Sequence, residues 1–193
     1  MRLIALALLL CACEARTDAT SPSPSSSSSD AFDRYRRPDL LVAALGLRPG
    51  GRVVDVGAGR GYLTRRLAEA VGPTGQVVAT DIDADALAIL RAEVRGPGLA
   101  PVETRVVPPD DPGLGGEVFD VILLSEVDQY LPDRRAYLVK LRGHLAPGGR
   151  LAVCNRRVFR APLLAAAAAA GLAVLADDER LPAHHLVFLG DAR

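Results

Sequence analysis

Two rhythms of apolar residues alternate along the chain from about residue 38 to 190. Short runs rich in valine and other strand-forming residues stand at 52–56, 76–80, 102–107 and 118–124. Such runs fit strands covered on both faces of a parallel sheet. Between them the apolar positions fall three or four apart: Leu40, Leu41, Ala44 and Leu45; Leu63, Leu67 and Val71; Leu87, Leu90 and Val94. That spacing predicts helices with one buried face. Gly72-Pro73 and Gly96-Pro97-Gly98 stop two of them, and Asp83 is placed to cap the helix that begins at Ala84. A helix is predicted over 132–145, with Leu138, Leu141 and Leu145 facing inward, then a turn at Pro147-Gly148-Gly149 and a fifth strand over 150–154. An alanine-rich helix follows Pro162 up to Gly171, and strands over 172–176 and 184–189 complete the pattern. Strand and helix in regular alternation predict an α/β fold.

The chemistry concentrates between Gly50 and Asp83. Gly57, Gly59 and Gly61 punctuate the turn between the first strand and its helix. Backbone without Cβ atoms lets a ligand approach closely, and a helix N-terminus behind it offers free N–H groups. Asp81 ends the second strand, where a carboxylate can accept hydrogen bonds from ribose hydroxyls. The dinucleotide fingerprint G-x-G-x-x-G would need a glycine where Tyr62 stands. Asp55, two residues before the first glycine, is also ill suited to a pyrophosphate and well suited to an ammonium group.

D-V-G-A-G-R-G-Y followed by V-V-A-T-D-I-D resembles the nucleotide-binding half of class I S-adenosylmethionine-dependent methyltransferases. The resemblance continues through V-F-D-V-I-L-L and L-R-G-H-L-A-P-G-G-R-L-A-V, and covers roughly residues 38–190. It implies a three-layer α/β sandwich with a seven-stranded, mostly parallel sheet whose last strand runs antiparallel. It implies S-adenosylmethionine as cofactor and a small-molecule methyl acceptor. Cofactor contacts are then expected from Asp55, Gly57, Ala58, Gly59, Gly61, Asp81, Ile82, Asp110 and Ser125, with Asp110 toward the adenine. Tyr35 and Arg36 become candidate lid residues. The acceptor should lie beyond the carboxyl end of the fourth strand, where Glu126 and Asp128 are candidate general bases. An already nucleophilic acceptor needs in-line positioning and no base.

Elsewhere the residues offer less. His144 falls in a predicted last helical turn, where it suits the helix dipole. Adjacent His184 and His185 point to opposite faces of a strand and cannot share one metal ion. Cys154 ends a buried strand and reads as core. Lys plus Arg and Asp plus Glu number 23 each, so no basic excess argues for nucleic acid.

The N-terminus has a different character. Met1-Arg2, the apolar run over 3–10 and Leu10-Cys11-Ala12-Cys13 match a bacterial lipoprotein signal peptide over residues 1–12, with Cys13 as the lipidated residue. A Ser/Pro-rich tether over 13–30 precedes the domain at 31–193. The expected location is the cell envelope, anchored by lipid at Cys13 with the outer membrane favoured, or the cytoplasm if the start codon is mis-assigned. Because S-adenosylmethionine is cytosolic, export raises a second reading: a lipid-anchored binding module on a non-catalytic methyltransferase scaffold.

Overall fold

In the computed structural model, which describes residues 33–192, the valine-rich runs are β1 (Arg52–Val56), β2 (Gln76–Asp81), β3 (Val102–Val106) and β4 (Phe119–Ser125). β5 (Leu145–Arg156), β6 (Ala173–Asp178) and β7 (His184–Gly190) complete one sheet, ordered β3-β2-β1-β4-β5-β7-β6. All pairings are parallel except those of β7, which runs antiparallel to both β5 and β6. The expected signal peptide and tether, Cys13 included, lie outside the described residues.

The helices are α1 (Pro38–Ala44), α2 (Thr64–Val71), α3 (Ala84–Glu93), α4 (Arg134–Arg142) and α5 (Arg160–Ala169). Strand parity divides the core. Val53, Val77, Val121 and Leu123 pack toward Leu41, Leu45 and Leu67 of the α1–α2 side. Val54, Val78, Ile122 and Leu124 pack toward Leu138, Leu141 and Leu163 of the α4–α5 side. Each fully buried leucine or valine contributes on the order of 1.5–3 kcal/mol, so both layers are held by burial on the central strands. The result is the α/β fold that the residue pattern predicts, in the three-layer arrangement that the family resemblance implies.

Local chemistry sets the helix starts. Asp83 Oδ1 accepts from the N–H groups of Asp85 and Ala86, and Asp133 Oδ1 accepts from that of Ala136. The helix predicted over 132–145 is shorter at both ends because Asp133 caps it and Leu145 leaves it to pair with Phe119. His144 therefore lies beyond the last helical turn, where its Nδ1 meets the Glu117 carbonyl at 2.9 Å. The Pro147-Gly148-Gly149 turn is absorbed into β5 as a register shift between Phe119 and Val121 of its neighbour.

The strand order reverses between β1 and β4: β2 and β3 lie on one side, β5 on the other. The carboxyl ends of β1 and β4 thus open side by side, and a crevice at such a switch point is where open α/β sheets bind ligands.

Candidate active site

The glycine loop leaves β1 with Gly57 at φ +71°, a left-handed conformation that favours glycine. The N–H groups of Gly57 and Ala58 both donate to the Thr80 carbonyl, at 2.8 and 3.1 Å. One turn further, the Gly59 N–H donates to Asp81 Oδ2 at 2.7 Å, while Asp81 Oδ1 takes the Asp83 N–H at 2.9 Å. Asp81 thereby ties the loop to the end of β2. Each of its oxygens has a second lone pair left for a ligand. At Gly61, φ is +89° and an added Cβ would lie 2.7 Å from Leu90 Cγ, so α3 packs directly on the loop.

Asp55 lies beneath this loop, 2% exposed, on the strand face that meets α2. Among the described residues Thr64 is its hydrogen-bond donor, Oγ1 to Oδ2 at 2.6 Å. Burial raises its pKa to about 6; the Thr64 hydrogen bond and, more weakly, the charge of Arg36 oppose that rise, and the charge of Asp81 adds to it. A carboxylate so poorly compensated is ready for a cation.

A cleft of about 300 Å³ opens at the switch point. Gly57, Thr80, Asp81 and Ile82 form one wall, and Glu126, Val127, Tyr130 and Leu131 another. Of the expected cofactor residues, Gly57, Asp81 and Ile82 line it, while Ala58, Gly59 and Gly61 shape the loop. Pro108 and Pro109 occupy the wall expected of Asp110, whose backbone carbonyl instead accepts from Lys140 Nζ at 2.6 Å. Nor does Ser125 line the cleft; its Oγ accepts from Arg36 at 3.0 Å.

The two candidate bases part company. Asp128 is fully buried, with Asn155 Nδ2 donating to Oδ1 at 2.5 Å and Arg134 Nε 3.1 Å from Oδ2. It is a structural ion pair and offers no base to the cleft. Glu126 lines the cleft, and its Oε1 stands 2.7 Å from His184 Nε2. Of the lid candidates, Arg36 stands 3.2 Å from Glu126 Oε2, and the Tyr35 ring meets the His184 ring edge-on, centroids 5.2 Å apart. Cys154 is buried, and burial pushes its thiol up to about 12, in keeping with a core residue.

Residues 54–151, just over half of the chain, match a family described as a methyltransferase domain. The chain belongs to this family. Among curated proteins it is similar to a ubiquinone/menaquinone biosynthesis C-methyltransferase of Ectopseudomonas mendocina, 36% identical over 122 residues, covering 62% of this chain and 47% of that protein. The Burkholderia mallei protein of the same name is 31% identical over 112 residues, covering 58% and 46%. The chain spans about half the length of the curated relatives it matches. Among solved structures, a SAM-dependent methyltransferase from Aquifex aeolicus superposes with a TM-score of 0.74 at 21% identity, covering 82% of this chain and 92% of that one. A TehB-like SAM-dependent methyltransferase from Corynebacterium glutamicum gives 0.66 at 15%, covering 86% and 98%. The seven-stranded sheet with its antiparallel β7 is thus the methyltransferase fold. The matched residues run from β1 through the glycine loop and β4 into β5, the elements that build the cleft.

Proposed function

We propose that this methyltransferase-family protein transfers a methyl group from S-adenosylmethionine to a small-molecule acceptor. The observation that carries the reading is the clasp of Asp81 on the glycine loop above a buried, under-compensated Asp55. S-adenosylmethionine brings an ammonium group, a ribose and a methyl group made electrophilic by its sulfonium. The chain has a complement for each binding feature. Asp55 has an oxygen to offer the ammonium, since Thr64 engages only Oδ2. Asp81 has lone pairs for ribose hydroxyls beyond those used by the Gly59 and Asp83 N–H groups. A Cβ at Gly57 would overlap Val127 Cγ2, so only glycine keeps the loop and the facing wall this close. The apolar wall of Val107, Pro108 and Pro109 suits a flat base without calling on Asp110.

Replacing Asp81 with alanine removes a ribose acceptor and also the acceptor for the Gly59 N–H. A loss of about 1.5–3 kcal/mol in cofactor binding is expected, roughly 10- to 100-fold in Kd. Titrating Asp81→Ala with S-adenosylhomocysteine checks this, with Asp83→Ala, which loses only the α3 cap, as control. Equal affinities for Asp81→Ala and the unaltered protein would remove Asp81 from the site.

The signal-peptide reading extends the proposal to the envelope: export, lipidation at Cys13 and membrane contact through that anchor. Mass spectrometry of the native N-terminus tests it. A diacylglyceryl-modified Cys13 supports the anchor, and an unmodified chain retaining Met1 refutes it.

A further inference from the structure

Glu126, in the loop after β4, has φ +59°, a backbone conformation that glutamate seldom adopts. The fold holds it there from both sides. Its N–H donates to the Cys154 carbonyl at 2.8 Å, and its carbonyl accepts from Gln129 Nε2 at 2.9 Å. The side chain meets His184 Nε2 at 2.7 Å through Oε1, while Arg36 stands 3.2 Å from Oε2 and balances the charge. His184 is 1% exposed, and its Nδ1 is buried with no hydrogen-bond partner among the described residues. A left-handed glutamate and an unmet buried ring nitrogen each carry a cost in stability, and such costs gather where a site needs a group held in one place.

The glutamate is held without being hidden. Its side chain keeps 29% of its accessibility and faces the cleft across from Gly57 and Asp81. The surrounding wall is Val127, Tyr130, Leu131 and Tyr137. With Asp81 given to the ribose, the remaining fixed carboxylate among these largely apolar walls fits a flat ring carrying a hydroxyl: the ring contacts the walls and the hydroxyl donates to the carboxylate.

We infer that Glu126, oriented by His184, takes the proton from a hydroxylated aromatic methyl acceptor; this rests on the methyltransferase reading of the same cleft. In the step, the acceptor O–H bond breaks and its proton passes to the Glu126 carboxylate. The oxygen's electron pair forms the new O–CH₃ bond, and the pair of the broken S–CH₃ bond stays on sulfur, neutralising the sulfonium. Glu126 is the catalytic residue of this step and His184 a positioning residue.

The test uses the full chain, S-adenosylmethionine with a radiolabelled methyl group, and a series from 4-methoxyphenol through phenol to 4-nitrophenol, with thiophenol as the acceptor that ionises unaided. Glu126→Gln keeps the shape of the side chain. It should slow transfer to 4-methoxyphenol and phenol about 100-fold or more, and transfer to 4-nitrophenol, largely ionised near neutral pH, by only a few-fold. His184→Gln should lower kcat about 10-fold with KM unchanged, which a general loss of structure would not do selectively. Equal slowing of every phenol by Glu126→Gln, or transfer confined to thiophenol, overturns the assignment. Calorimetric titration of the same proteins separates the two layers of the account. Cofactor binding with no transfer to any phenol overturns the proton-accepting pair alone, whereas no cofactor binding by the unaltered protein overturns the methyltransferase reading beneath it.

Discussion

Asp55→Asn should abolish micromolar cofactor binding and at the same time make the free protein more stable at neutral pH. Both effects follow from one property. Asp55 is buried under the glycine loop with Thr64 as its donor, and its pKa is raised from 3.8 to about 6. Between those two values the folded chain keeps a proton that the unfolded chain has released. Stability therefore falls as pH rises from about 4 to about 6 and stays at its lower level above that window. The separation corresponds to a cost on the order of 3 kcal/mol for keeping the carboxylate ionised. Asparagine still accepts from Thr64 and carries no charge, so a gain of about 1–3 kcal/mol is expected at neutral pH, seen as a higher midpoint in denaturant. The ammonium of the cofactor loses its charged partner, and affinity should drop by about 100-fold or more. In the unaltered protein the same linkage weakens cofactor binding as pH falls through about 6, approaching tenfold per pH unit below it. A variant that loses stability, or binds as tightly as before, would show that Asp55 serves the core and not the ligand.

Gly57→Ala should act on both walls of the cleft at once. At φ +71° an alanine is strained by about 1–2 kcal/mol. Its Cβ would overlap Val127 Cγ2 and lie 3.2 Å from Val127 Cγ1. Val127 belongs to the loop after β4, so relief requires that loop to move away from the glycine loop. Overpacking of this kind adds about 1–3 kcal/mol, for a total near 2–5 kcal/mol and a Tm lower by roughly 10 °C. The double variant Gly57→Ala/Val127→Ala separates the causes: it should recover the packing share and leave the backbone share. Full recovery would mean that the left-handed conformation is not needed, and no recovery would mean that Val127 is not what the methyl group meets.

Much of this was legible in the residues. The valine runs at 52–56 and 76–80 are β1 and β2 because both faces of these central strands are covered. The glycines at 57, 59 and 61 mark a turn with positive φ at each of them, and Asp81 stands where the loop needs an acceptor. What sequence spacing does not carry is contact between distant positions. Glu126 and His184 are 58 residues apart and meet only because β7 returns antiparallel beside β5. His184 read alone is one of two adjacent strand histidines, and nothing local points to its partner. Asp128 read as a cleft carboxylate equal to Glu126, yet Arg134 and Asn155 enclose it. The resemblance asks for an acid directly after β3, where the sequence has Pro108; Asp110, the nearby acid, does not line the cleft, and Pro108 and Pro109 do. What sets Glu126 apart from Asp128 in the structure is its left-handed backbone, and amino-acid identity does not announce that.

Calorimetric titration of the full chain with S-adenosylmethionine and S-adenosylhomocysteine, near neutral pH and again near pH 5, tests the central claim most directly. The account predicts micromolar, one-to-one binding of both at neutral pH and markedly weaker binding near pH 5, where Asp55 is protonated. Folded protein that gives no binding heat with either ligand at neutral pH would contradict it.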